Sequence, residues 1–405
     1  MNLGDLGNST MQNVAATAGP GGILGLIRSG EAVTRAQIMA VTGLSRSTVA
    51  QRLDALLAHG YIGPATAESS TGGRPPGAFQ INAGFGVMLL ASVGAGAMQI
   101  AVCDMARTIL ARQSHGVSVA DGPVIVLSEV ARHFDELLAE IQRTRADVRG
   151  VGIGVPGPVE FAEGRVVRPP IMTGWDGYRV PDFFAADYRC PIVVDKDANL
   201  MALGEHRGAW PDVTHMLFIK ISTGIGTGLI MDGALQRGAQ GAAGDLGHLF
   251  VGNIEPEHTE NCRCGNTGCL EAYASGWAIC RDLTAKGYKA DNVRDISALA
   301  QQGERDVVEL LQKSGRLIGE SVAVAVSLLN PSLVVVGGEL ALCQSYVLAA
   351  IRETVYRRSL PLATRNLQIA TSKLGNNAGL MGAAQLVSDA VFAPSVIDSA
   401  LEQTR

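Results

Sequence analysis

Residues 34–62, TRAQIMAVTGLSRSTVAQRLDALLAHGYI, hold two capped helical segments on either side of a glycine. Thr34 is a hydroxyl cap for a helix through Val41, and Gly43 supplies the permissive backbone of a tight turn. Ser45 caps a further helix in which Val49, Leu53 and Leu56 fall at i, i+4 and i+7, one apolar face. Upstream, Ile23, Leu24 and Ile27 form the apolar side of another short helix, which ends at Ser29-Gly30. Three helices with this spacing make a helix-turn-helix. Downstream, Tyr61-Ile62 and Phe79-Gln80-Ile81 read as two strands around the polar loop ATAESSTGGRPPG, which is a wing. The expectation is a winged helix-turn-helix over 19–82, after an unstructured tail, 1–18, of small and polar residues.

A helix laid in the major groove offers the side chains of its first turns to base edges and phosphates. Ser45, Arg46, Ser47, Thr48, Gln51 and Arg52 occupy those turns. Arg and Gln can pair bidentately with guanine and adenine, while Ser and Thr hydroxyls suit phosphate oxygens. Arg35 and Gln37 on the preceding helix are placed for the backbone, and Arg74 has the setting of a minor-groove arm. The same residue types also decorate any solvated helix. Residues 1–82 hold five Arg and four acidic residues, so the basic character is slight, and the wing is what favours DNA.

The whole chain of 405 residues has 33 Lys+Arg against 38 Asp+Glu, a formal charge of -5, which excludes a general basic field for nucleic acid or anionic lipid. Length and 47% hydrophobic content exclude disorder as the main state. The first twenty residues lack Lys, Arg and a continuous apolar run, so a cytoplasmic address with no membrane partner is expected. Val87–Cys103 is apolar but interrupted by Ser92, Gly94, Gly96 and Gln99, as two strands and a turn would be. From a linker near 82–85 onward, apolar strands alternate with longer helices, the pattern of an α/β architecture.

Seven cysteines are an odd number, and three of them crowd together as Cys262, Cys264 and Cys269. With His248 they make one imidazole and three thiolates, a closed tetrahedral set for structural zinc that leaves no position for water. His258 competes for the fourth place.

Several motifs together resemble the ROK family of repressors, open reading frames and kinases. They are GVPGPV (154–159), VVDKDAN (193–199), ISTGIGTGLIMDGALQRGAQGAAGDLGH (221–248), CRCGNTGCLE (262–271) and VVVGGEL (334–340). With the winged module in front, the chain is similar to the repressor branch, which includes xylose and N-acetylglucosamine repressors. The resemblance implies a two-lobed actin/hexokinase-like (ribonuclease H-like) domain over 83–405 with a sugar cleft between the lobes. Lobe one is expected over about 83–194 plus a C-terminal helix 381–405. Lobe two is expected over about 195–380, with the zinc module at 245–271.

Carried over by position, Asp197 matches the family's catalytic base, and His248 and Glu271 match sugar contacts. Lys196 stands where the family usually has Asn, and Asp245 where it usually has Glu. Lys196 then either forms an internal pair with Asp245 or Asp197 and weakens ordinary sugar binding, or selects a ligand bearing a carboxylate or phosphate. The family kinases' D-x-G-G-T phosphate motif reads here as Ser92-Val93-Gly94-Ala95-Gly96, without the carboxylate that organises Mg²⁺. A non-enzymatic regulator is therefore expected, with Asp197 as a vestigial base, effector contacts at Lys196, Asp197, Asp245, His248 and Glu271, and a double-stranded operator as partner. The effector would alter the angle between lobes and so the spacing of two DNA-reading heads in a homodimer or dimer of dimers. The competing possibilities are an ATP-dependent sugar kinase that carries a DNA-binding domain, and a zinc-stabilised scaffold with neither ligand nor operator.

Overall fold

A computed structural model describes residues 19–65, 77–252, 259–340 and 344–403. The expected tail 1–18, Arg74 and His258 lie outside the described residues.

Helices α1 (Pro20–Ser29), α2 (Arg35–Thr42) and α3 (Arg46–Ala58) lead into an antiparallel pair, Ile62–Pro64 with Phe79–Ile81, in register Ile62↔Ile81. At the start of α2 the Thr34 hydroxyl accepts from Gln37 N at 3.3 Å, and Gln37 Oε1 accepts from Thr34 N at 3.0 Å. This reciprocal cap satisfies donors that the first turn leaves free. Gly43 ends α2 at φ 68°, a left-handed conformation that a side chain would strain. Ser45 Oγ accepts from Thr48 N at 3.2 Å and opens α3. Val49, Leu53 and Leu56 are buried against Ile23, Leu24, Ile27 and Ile38.

Lobe one is built on a five-stranded sheet in the order Ile109–Gly116, Ala97–Asp104, Val87–Val93, Val148–Val155, Ile192–Lys196. The first three strands are antiparallel neighbours and the last two join in parallel. Helix Pro123–Glu140 packs on this lobe with Val126, Leu127, Val130 and Phe134. Lobe two repeats the scheme with Ala234–Gln236, Ile225–Met231, Met216–Ile221, Leu333–Gly337 and Gln368–Thr371. Its sheet is covered by Leu311, Ile318 and Val322 of helix Arg305–Leu329. A mixed α/β body of two similar halves is what the alternation of apolar strands and helices requires.

Helix Asp197–Ala209 lies between the halves. Leu200 and Leu203 pack with Ala383 and Val387, whereas Ala202 packs with Met216, Phe218 and Val335 of lobe two. It crosses helix Ala378–Val391 in backbone contact: a Cβ on Gly204 would overlap the Ala378 carbonyl, and one on Gly382 the Leu200 carbonyl.

One expected element is corrected. The C-terminal segment is not a single helix 381–405 but two helices, Ala378–Val391 and Pro394–Glu402. Pro394 has no N–H to continue the first and sits in the opening turn of the second, where none is needed. Both helices pack on α1: Gly21 N donates to Asp398 Oδ1 of the second at 2.8 Å, and Arg28 pairs with Asp389 of the first at 2.8 Å. Ile23, Leu24, Leu53 and Leu56 therefore share one apolar cluster with Met88, Leu90, Leu386, Phe392, Ile397 and Leu401. The linker near 82–85 is a 3₁₀ turn, Ala83–Phe85, and Phe85 packs between Tyr61 at 4.8 Å and Phe392 at 6.3 Å between ring centres. No single described helix is long and apolar enough to cross a membrane.

Candidate functional site

Three groups of side chains stand out: the start of α3, the interlobe cleft and a thiol cluster at the rim of that cleft.

On α3, Ser45, Arg46, Ser47 and Gln51 are exposed, and Thr48 and Arg52 are half-buried. Ser45 Oγ lies 2.9 Å from Ser47 Oγ and 2.8 Å from Thr48 Oγ1, so the three hydroxyls form one cluster at the helix start. Arg52 differs from Arg46: one of its terminal guanidinium nitrogens is buried with no hydrogen-bond partner. Arg35 lies over the ring of Phe79 at 5.6 Å, against the first residue of the second wing strand. Gln37 is exposed but folds its carboxamide oxygen back on the backbone, where it also accepts from Val33 N at 3.1 Å, so that oxygen serves the cap.

The cleft is a cavity of about 570 Å³ bounded by both sheets. Its lobe-one wall is the hairpin between Val87–Val93 and Ala97–Asp104, closed by Gly94 N donating to Ala97 O at 2.8 Å. Ser92 and Gly96 line it, and the carboxylates among the lining residues are Asp197, Asp245, Glu271 and Glu339, none on this hairpin. The lobe-two wall is the tight turn at Ser222-Thr223-Gly224, between strands Met216–Ile221 and Ile225–Met231. Glu271 Oε2 accepts from Ile225 N at 2.8 Å and lies so close to Gly224 that a side chain there would strike it.

The floor is formed where strand Ile192–Lys196 passes into helix Asp197–Ala209. Asp197 is buried; Oδ1 accepts from Ala198 N at 2.6 Å, and Oδ2 accepts from Lys220 Nζ. Lys196 Nζ donates to Asp245 Oδ1 at 2.7 Å. Asp195 is engaged from three sides, accepting from Lys196 N, Asn199 Nδ2 and Arg237 Nε, each at 2.8 Å. Lys196 thus forms the internal pair that was one of its two expected roles, and Asp245 is its partner. Lys220, Arg237 and Arg263 were not anticipated. Arg263 lines the cleft and stacks over Trp277 at 4.5 Å. Lys220 had a signal, being the one charge in the apolar strand MLFIKI.

His248, Cys262, Cys264 and Cys269 bring their ligand atoms within 4.8 Å of one another. Cys264 Sγ lies 3.7 Å from Cys269 Sγ, and Cys262 Sγ 3.7 Å from His248 Nδ1. Zn–S bonds of about 2.3 Å at a tetrahedral angle place two sulfurs roughly 3.8 Å apart, so the four groups fit zinc. Burial, followed by the neighbouring Cys264, pushes the Cys269 thiol up to about 12 when no cation is present. A divalent ion would supply the charge that thiolates in this cluster need. Residues 249–251, which follow His248, are bonded to residues 268–270 around Cys269: Val251 N donates to Gly268 O at 2.8 Å and Leu270 N to Leu249 O at 2.8 Å.

Comparison with known proteins places these sites in a family. The model of the ROK family matches residues 91–390. The xylose repressor of Caldicellulosiruptor bescii is 27% identical over 387 residues, 92% of this chain and 96% of that protein. A glucokinase of Halalkalibacterium halodurans is 28% identical over 310 residues, 73% of this chain and 93% of the relative. A solved structure of a ROK family transcriptional regulator, a homolog of the E. coli MLC protein, shares the fold with a TM-score of 0.79 at 24% identity, covering 96% of this chain and 100% of that one. With its family match spanning well over half of its length, the chain belongs to the ROK family.

Proposed function

We propose that the chain is a DNA-binding transcriptional repressor of carbohydrate-related genes, controlled by a sugar-type effector in the interlobe cleft. The observation that carries this is the continuous apolar cluster joining α1 and α3 to helices Ala378–Val391 and Pro394–Glu402. The first of those helices lies against helix Asp197–Ala209, whose first residue is on the cleft floor. A head that reads duplex DNA is thus connected by packed side chains to a site that a ligand can fill. The match to the xylose repressor runs over nearly the whole chain, whereas the glucokinase match leaves about a quarter of it uncovered.

In this reading, residues 19–82 are the DNA-binding domain and 83–405 the ROK domain. Arg46 and Gln51 read bases, Ser45, Ser47 and Thr48 hold phosphate, and Arg35 and Arg52 support them at the edge of the contact. Lys196, Asp197, Asp245, His248 and Glu271 surround the effector, while zinc on His248, Cys262, Cys264 and Cys269 fixes the loop 249–268. The molecule acts as a homodimer or dimer of dimers, because a single winged module buries little surface and operators mirror a two-fold axis.

Phosphoryl transfer is not part of the proposal. A kinase needs a carboxylate to hold Mg²⁺ against the phosphates, and the hairpin that faces them in the family kinases carries Ser92 and Gly96 instead.

Genome-wide mapping of the DNA bound by the full chain tests the proposal. The expected result is a small set of promoters of carbohydrate genes sharing a two-fold-related sequence. No enrichment over control DNA, together with steady ATP-dependent phosphorylation of a hexose, would overturn it.

A further inference from the structure

Three consecutive residues where strand Ile192–Lys196 passes into helix Asp197–Ala209 each hold a partner of opposite charge from lobe two. Asp195 pairs with Arg237 at 2.8 Å, Lys196 with Asp245 at 2.7 Å, and Asp197 with Lys220. In the outer two pairs the member from this junction is a carboxylate almost sealed from water. In the middle pair the signs are reversed: the enclosed member is the Lys196 ammonium, its side chain 10% exposed, and its partner Asp245 is a carboxylate whose side chain is 41% exposed. Asp245 can turn toward water at small cost, whereas an enclosed ammonium that loses its counter-ion bears the full desolvation penalty.

Resting on the reading of the cleft as an effector site, we propose that the effector is a sugar acid, a uronate or aldonate, whose carboxylate replaces Asp245 on Lys196. A neutral sugar that displaced Asp245 would strand the ammonium. One that left the pair in place would find both Asp197 and Asp245 already engaged by lysines. A carboxylate exchanged for a carboxylate leaves Lys196 paired. The floor, which carries Lys196 and Lys220 against Asp197, Asp245 and Glu271, then keeps its charge balance when Asp245 swings outward. The hydroxyls of the ligand remain to donate to Asp197 and Glu271 and to accept from Lys220.

Isothermal titration calorimetry of the full chain is the test, with D-glucuronate, D-galacturonate and D-gluconate set against D-glucose, D-galactose and D-glucitol. At least one acid is expected to bind about tenfold more tightly than its neutral parent. Lys196→Met should abolish that preference. Asp245→Asn should tighten acid binding by about tenfold, because the ligand no longer competes with an internal carboxylate. If Asp245 serves instead as an acceptor for sugar hydroxyls, the same substitution weakens binding, so the sign decides. Thermal melts verify that each variant is folded, and Asp245→Asn settles the matter even if Lys196→Met is not. Neutral sugars binding as tightly as the acids, no acid binding at millimolar concentration, or weaker acid binding by Asp245→Asn would each overturn the proposal. DNA retardation keeps the two proposals separate: a chain released from its promoter by glucose but not glucuronate loses the ligand class and remains a regulator. A chain that binds glucuronate but no DNA loses only the regulator reading.

Discussion

The head of the molecule and its cleft use polar groups in opposite ways. At the starts of α2 and α3 the side chains are bonded to near neighbours: Thr34 to Gln37, and Ser45 to Ser47 and Thr48. What they leave exposed, Arg46 and Gln51 above all, is presented on a surface fixed by the apolar residues beneath. In the cleft, Lys196 and Asp245 are 49 positions apart in the chain, Asp197 and Lys220 are 23 apart, and each pair joins different elements. In the proposed function the preformed surface reads by complementarity, whereas the ion-paired floor responds when an incoming group replaces one partner.

Metal removal should break the cleft side of this contrast most strongly. Chelation, or Cys264→Ser, is expected to release about one zinc per chain, measured by elemental analysis, and to lower the melting temperature by many degrees. Structural zinc sites contribute on the order of 10 kcal/mol in isolated modules, and part of that is retained here by the surrounding fold. Loss of zinc should leave operator binding less affected than effector binding, since the ligands lie at the cleft rim and not in the head. Equal loss of both would erase the distinction.

Leu53→Ala comes next. Leu53 is fully buried at the meeting of α3 with α1, and such truncations cost about 2–5 kcal/mol. Because its cluster extends into helices Ala378–Val391 and Pro394–Glu402, denaturant unfolding should remain a single transition shifted to lower midpoint. Two separated transitions would mean that the head folds apart from the body.

Glu205→Gln sharpens the comparison where helix Asp197–Ala209 meets the C-terminal helices. This fully buried carboxylate accepts from Lys373 N at 2.6 Å, Leu374 N at 3.1 Å and Ser372 Oγ at 2.7 Å, and so binds helix Asp197–Ala209 to the turn before helix Ala378–Val391. The amide keeps the shape but loses the charge, at a cost of about 1–3 kcal/mol in stability. If this contact transmits the effector signal, release of DNA by ligand should need more ligand in this variant, although binding of DNA alone is unchanged.

The smallest effect is expected from the caps. Ser45→Ala removes the acceptor for Thr48 N and should cost about 1 kcal/mol by thermal melting, with a further loss of phosphate contact visible only in DNA binding. A melting point unchanged by Ser45→Ala would show that the hydroxyl cluster serves DNA alone.

The same contrast explains what could be read from sequence. The head was legible because its signals are local: Thr34 and Ser45 before apolar repeats, Gly43 between them, and Val49, Leu53 and Leu56 on one face. The thiol cluster was legible because three cysteines crowd into one short segment. Lys220 and Arg237 were missed because their partners come from other elements, and no spacing along the chain announces an ion pair between Lys220 and Asp197. The break before Pro394 was missed although proline marks it, because the apolar pattern continues on both sides. Continuity between the head and the C-terminal helices was hidden for a similar reason. Ile23 and Ile397 look like ordinary core residues until the fold places them in one cluster.

In the proposed function α3 grips DNA through the side chains of its first turns. Fluorescence anisotropy of a labelled promoter fragment, titrated with the parent chain and with Arg46→Ala at several salt concentrations, tests it most directly. The account predicts that Arg46→Ala weakens binding by about tenfold or more, with the melting temperature unchanged because Arg46 is exposed. Binding by Arg46→Ala equal to that of the parent at every salt concentration would contradict it.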